Sequence, residues 1–145
     1  MKFLVFGASG LVGKELSSQL ANKHDTYLAL RNSHESSSNI RIVDFEKENI
    51  LPPEKFDGVY CCLGTTIKKA GSKEAFRRVD LDYVLKCYKF AKEAQASFFC
   101  VISSLGANKD SSLFYNSIKG EMEELLNDTT MKTIIVRPSL LVGER

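Results

Sequence analysis

Tyr115 and Lys119 stand four residues apart in Tyr115-Asn116-Ser117-Ile118-Lys119. On a helix that spacing puts both on one face, with the ammonium near the phenol oxygen. A free phenol has a pKa of about 10. A tyrosine working near neutrality therefore needs its phenolate stabilised by about two to three units, roughly 3–4 kcal/mol, and Lys119 is the obvious source within the chain. Twelve residues before Tyr115 comes Ser103, followed by Ser104, so two hydroxyls close the apolar run Phe98-Phe99-Cys100-Val101-Ile102. A second pair at the same spacing, Tyr88 and Lys92, precedes that run with no serine ahead of it, and Tyr88 reads as the surface of a long helix.

A second group of residues suits a dinucleotide. Gly7-Ala8-Ser9-Gly10-Leu11-Val12-Gly13 follows the apolar run Phe3 to Phe6 and leads into a segment of helical period. Gly7 permits a tight turn, Gly10 lets the backbone approach a pyrophosphate, and Gly13 allows close helix-to-strand packing, while the helix N-terminus supplies free N–H groups and positive dipole. Arg31 and Asn32 stand where many NAD-binding folds place an acid. A carboxylate there would hold a ribose 2′-hydroxyl, whereas a guanidinium suits a 2′-phosphate, so NADP(H) is favoured over NAD(H). Asp44 could offer a carboxylate to the adenine amino group, with the Phe45 ring near its edge, or could equally serve as a local cap. Gly64, in Leu63-Gly64-Thr65, would let the chain pass close to the cofactor's ribose and phosphates.

Such groups must be held at the ends of strands. Short apolar runs predict strands at Lys2 to Phe6, Thr26 to Leu30, Ile40 to Val43, Gly58 to Leu63, Phe98 to Ile102 and Lys132 to Val136. Helical periodicity predicts helices at Leu11 to Ala21, Ser72 to Ala94 and Leu113 to Leu126. The stripe of the long helix is Phe76, Val79, Tyr83, Val84, Cys87 and Phe90. Asn32 to Asn39 reads as a surface loop, and Glu46 to Phe56, broken by Pro52-Pro53, holds at most a short helix. The near-continuous apolar run from Phe98 predicts a strand covered on both faces. The pattern is an α/β doubly wound parallel sheet, a Rossmann fold, of six strands in the order 3-2-1-4-5-6, with ligands beyond the carboxyl ends of the strands.

Composition excludes several alternatives. The 145 residues are 43% hydrophobic with a net charge of +2, enough for one folded domain and no reason to expect nucleic acid or an anionic membrane as a partner. The basic stretch from Lys68 to Arg78 reads mainly as a solvated loop and helix start. Cys61, Cys62, Cys87 and Cys100 lack metal or redox spacing and read as small apolar residues, and the isolated His24 and His34 suggest no metal site. No leader and no span of about eighteen apolar residues is present, which points to a soluble, cytoplasmic protein. The long helix could pair with a copy of itself in a homodimer.

Together these residues resemble the short-chain dehydrogenase/reductase superfamily, and within it the atypical, Tat-interacting-protein-like oxidoreductases. The resemblance extends over Cys61-Cys62-Leu63-Gly64-Thr65-Thr66, Arg78-Val79-Asp80-Leu81-Asp82-Tyr83-Val84-Leu85, Ser103-Ser104-Leu105-Gly106-Ala107, Tyr115 to Glu121 and Arg137-Pro138-Ser139-Leu140-Leu141. It implies that Ser9, Gly10, Leu11 and Val12 bind the pyrophosphate, Arg31 and Asn32 the NADPH 2′-phosphate, and Leu63 and Gly64 the ribose. Tyr115 is then the proton donor or acceptor and Lys119 binds the nicotinamide ribose. Ser104 is favoured over Ser103 as the group that holds the substrate oxygen. Asp80 stands where related enzymes often carry an asparagine in a proton relay. The implied activity is NADPH-dependent hydride transfer to or from a small carbonyl or alcohol. Two other classes remain open: a nucleotide-binding regulatory module without turnover, and an isomerase or epimerase with retained cofactor. Residues 1–145 are expected to form the cofactor-binding domain and to lack the segment that builds the substrate pocket in this superfamily.

Overall fold

The computed structural model describes residues 1–139 and 141–143, so Leu140 of the Arg137-to-Leu141 motif lies outside the described residues. Six parallel strands, β1 (Lys2–Phe6), β2 (Asp25–Leu30), β3 (Ile40–Ile42), β4 (Gly58–Cys61), β5 (Phe98–Ile102) and β6 (Lys132–Val136), form one sheet in the order β3-β2-β1-β4-β5-β6. This is the expected doubly wound α/β sheet. β1 lies at its centre, with Phe3 opposite Thr26 of β2 and opposite Gly58 of β4.

Helix α1 (Leu11–Ala21) leaves β1. Helix α2 (Ile67–Ala70), a single turn capped by Thr66 and ended by Gly71 at φ +95°, is an element that the periodicity does not predict. The expected long helix runs as α3 (Lys73–Arg77), a π-helical stretch Arg78–Tyr83, and α4 (Val84–Glu93). The Ser72 hydroxyl caps its start by accepting the Ala75 N–H at 3.1 Å. Helix α5 (Phe114–Leu125) joins β5 to β6. Residues 46–56 hold no helix; Ile50 and Leu51, 4% and 6% exposed, plug the core there instead.

One sheet face carries Leu4, Phe6, Val59, Cys61, Phe99 and Val101, which share a core with Val84, Cys87, Phe90, Ile118 and Met122 of α4 and α5. Burial of these side chains at about 25 cal/mol per Å² is the main driving force holding the two helices on the sheet. On the other face α1 lies over β1 and β2. β5 therefore differs from the expectation of two covered faces. Phe99 and Val101 are buried but Phe98, Cys100 and Ile102 are only half-buried, and Ile134 and Val136 on β6 are 38% and 42% exposed. The four thiols are free, with Cys61 and Cys87 buried and Cys62 and Cys100 half-buried. Burial pushes the Cys62 thiol up to about 12, so it is protonated and inert at neutral pH.

Candidate active site at the carboxyl ends of the strands

Between β1 and α1 the chain turns at Gly7, whose φ of +73° favours glycine. A side chain there would also strike the β4 end, since a Cβ would lie 2.6 Å from the Cys62 carbonyl. Gly13 is held to glycine by packing alone, because a Cβ would sit 2.1 Å from the Gly7 oxygen. Above Gly10 the space is open, with only the Gly7 oxygen at 3.5 Å. No side chain caps the start of α1, its first turn holds no acid, and the first helical N–H bond runs from Lys14 to the Gly10 carbonyl. N–H groups at such a helix start are an anion site, and the open loop above them has the shape a pyrophosphate needs. Ser9 is exposed on this loop, and Leu11 and Val12 begin the helix half-buried.

Arg31 and Asn32 follow β2 and are exposed, and among the described residues Arg31 forms no ion pair. Asp44 is exposed after β3, and one of its carboxylate oxygens accepts the Glu46 N–H at 3.0 Å, the local capping role weighed above. Phe45 turns away from the surface. It is 5% exposed and stacks on Tyr83 with centroids 4.5 Å apart, so the core claims the ring that was to lie near an adenine.

β4 ends at Cys61, two residues earlier than expected, and Cys62 to Thr66 form a turn. Leu63 packs against the core, Gly64 passes over the Asp80 carboxylate, and the Thr65 N–H donates to Asp80 Oδ2 at 3.1 Å. The other oxygen, Oδ1, lies 2.7 Å from Lys119 Nζ, and the two side chains are 0% and 4% exposed. Asp80 is thus a central group, and its place in the π-helical stretch turns it inward. Burial raises its pKa while Lys119 and the Thr65 N–H act in the opposite direction. Lys119 Nζ is 5.8 Å from the centroid of the Tyr115 ring, which packs on Phe76 at 5.3 Å. The lysine ammonium therefore stands beside the tyrosine as the spacing predicts, but it already has a carboxylate partner.

Ser103 continues the alternation of Phe99 and Val101 and is 4% exposed, and its hydroxyl has no hydrogen-bond partner among the described residues. Ser104, one residue on, is half-buried on the opposite side of the strand end. The Tyr88–Lys92 pair is engaged elsewhere. Tyr88, at 7% exposure, is buried against Phe99 rather than on the helix surface, and Lys92 bonds Asp128 at 3.0 Å. The basic stretch is partly absorbed as well, with Arg77 forming a two-pronged pair with Glu121 and Lys73 lying over the Phe114 ring. Among the described residues no group of histidine, cysteine or acidic side chains could hold a metal ion.

A family model described as NAD(P)H-binding matches residues 7–145. The Rattus norvegicus protein HTATIP2 is 37% identical over 153 residues, covering 97% of this chain and 63% of its own length. The chain belongs to the NAD(P)H-binding family, as an atypical short-chain dehydrogenase/reductase of the HTATIP2 type. Within the family, FMP52 of Debaryomyces hansenii is 35% identical, covering 100% of this chain and 69% of its own length. The chain thus spans about two thirds of these curated relatives, 63% of one and 69% of the other. A putative NAD-dependent epimerase/dehydratase from Bacillus halodurans has the same fold, with a TM-score of 0.81 and 25% identity over 100% of this chain and 73% of its own. The family accounts for a nucleotide-binding fold of the oxidoreductase type. The relatives also correct one expectation. FMP52 proteins from several yeasts are named as mitochondrial, which overturns a purely cytoplasmic location. The absence of a helix long and apolar enough to cross a membrane, among the described residues, does not bear on that point.

Proposed function

We propose that this chain is the nucleotide-binding and catalytic part of an NADP(H)-dependent oxidoreductase acting on a small carbonyl or alcohol. The N–H groups of Leu11 to Gly13, the open backbone at Gly10 and the Ser9 side chain hold the pyrophosphate, Arg31 and Asn32 the 2′-phosphate, and Leu63, Gly64 and Thr65 the ribose. Asp44 keeps an oxygen for the adenine amino group. When bound, the nicotinamide supplies or takes up a hydride at the substrate carbon. In the reducing direction Tyr115 gives its phenol proton to the carbonyl oxygen, so that hydride and proton together make the alcohol, and the tyrosine is reprotonated from solvent. Lys119 binds the nicotinamide ribose and orients the phenol.

The observation that carries this reading is the Ser103 hydroxyl. It is buried and, among the described residues, unpartnered, and by strand alternation it continues the face of Phe99 and Val101 on which Ile118 and Met122 of α5 pack. A buried hydroxyl without a partner is costly unless a ligand completes it. Ser103, rather than Ser104, is therefore assigned to hold the substrate oxygen. The test is Tyr115→Phe, assayed with NADPH against a panel of small aldehydes and ketones. Turnover should fall by about 10²- to 10⁴-fold while NADPH binding stays within about twofold; undiminished turnover sinks the assignment. NADH bound as tightly as NADPH would refute the role given to Arg31.

A further inference from the structure

We propose that Asp80 is a positioning residue that holds Lys119 in a buried, electrically balanced pair, so that the pH range in which Tyr115 works is set by Asp80 as well as by the lysine. The inference rests on the roles given above to Tyr115 and Lys119. The carboxylate is fully buried, touches Lys119 Nζ at 2.7 Å through one oxygen and accepts the Thr65 N–H through the other. One side chain therefore ties the turn after β4, which faces the cofactor, to the lysine of α5.

An amide in this place would also hold the lysine, but it would leave the ammonium charge unmatched. A carboxylate cancels most of the field that the ammonium would impose on the phenol. Arg77 from α3 is matched by Glu121, Glu123 on α5 is matched by Arg137, and Lys73 lies over Phe114. From β5 the uncharged Ser103 hydroxyl continues the sheet face of Phe99 and Val101, on which α5 packs. Asp80 is consequently the negative group in contact with the lysine, and without it the ammonium beside the Tyr115 ring would stand unmatched.

The test follows the Tyr115 phenol directly, by ultraviolet difference titration of the folded protein with NADP⁺ bound, with Tyr115→Phe identifying its signal. In Asp80→Asn the phenol should titrate at least about one pH unit lower than in the wild type, and the alkaline limb of the kcat/KM profile for carbonyl reduction, where Tyr115 loses the proton it must donate, should move with it. Asp80→Glu, which keeps the charge, should restore the wild-type titration. A phenol titration unchanged or raised in a folded Asp80→Asn protein overturns the proposal. If that variant does not fold, carbon-13 NMR of the wild-type Asp80 carboxyl decides. An ionised carboxylate at pH 7 supports the balanced pair, and a protonated one overturns it. Because the phenol titration does not require turnover, its outcome stays separate from that of the Tyr115→Phe assay.

Discussion

The Ser103 hydroxyl and the Asp80 carboxylate illustrate how burial assigns chemistry to single residues. Ser103 and Ser104 are alike in sequence, and the alternation of a strand decides which one faces α5. Ser103→Ala should lower kcat by about 10²-fold with little change in NADPH affinity, the cost of losing one donor at a developing oxyanion. Ser104→Ala should stay within about threefold of the wild type in the same steady-state assay. Equal losses in both variants would return the choice between them to an even footing. Tyr115, Lys119 and the serine pair were legible from spacing because each rests on a local period. The partner of Lys119 was not, since Asp80 lies 39 positions before it in sequence and only the fold closes that gap.

At the scale of elements, the strands and three of the helices follow from hydrophobic period, and their order follows from right-handed crossovers. The segment from Ser72 to Ala94 shows where period misleads. Read as one regular α-helix it buries Val79 and Tyr83, yet the π-helical stretch adds residues to the turn and brings Asp80 and Leu81 inward at 0% and 1% exposure. A charged residue amid an apolar stripe reads as solvent-facing, and π-helical turns leave no local signal of their own. Helix α5 is placed by a different device. Gly120 packs flat on the turn before it, where a Cβ would lie 2.1 Å from the Lys109 nitrogen and 2.3 Å from the Asn108 carbonyl carbon. Backbone atoms cannot rotate away as a side chain can. Gly120→Ala should therefore cost about 1–3 kcal/mol in urea unfolding and lower activity further, because α5 shifts with Lys119 next to the altered position. A variant of wild-type stability and activity would show that the turn yields freely.

At the scale of the whole molecule, Glu54 links three parts of the sheet region. Its carboxylate receives Arg41 of β3 at 2.7 and 2.8 Å and Lys2 of β1 at 2.9 Å, and it stands shortly before β4. Bonding to the Arg41 guanidinium, helped by Lys2, holds its pKa down at about 2. A carboxyl whose pKa is lower in the folded chain binds fewer protons there than when unfolded. The stability it gives is present above the unfolded value of about 4.3 and is lost as pH falls toward 2. Glu54→Gln should lower stability at pH 7 by about 1–2 kcal/mol, a figure reduced for its partial exposure, and the difference should fade in unfolding curves taken down to about pH 2. A difference independent of pH would mean that shape rather than charge is responsible.

The central place of β1 also bears on how the chain assembles during synthesis. Residues 2–6 leave the ribosome well before residues 58–61, for which one edge of that strand must wait, and the two ends of the candidate site, Gly7 and Lys119, lie more than a hundred residues apart. The N-terminal β1-α1-β2-β3 unit therefore emerges with the middle of the future sheet exposed as a bare edge. Long-range parallel pairing of this kind closes slowly. The nascent chain is consequently most vulnerable to mispairing before β4 appears, and the groups of the candidate site can meet only after nearly all of these residues have been made.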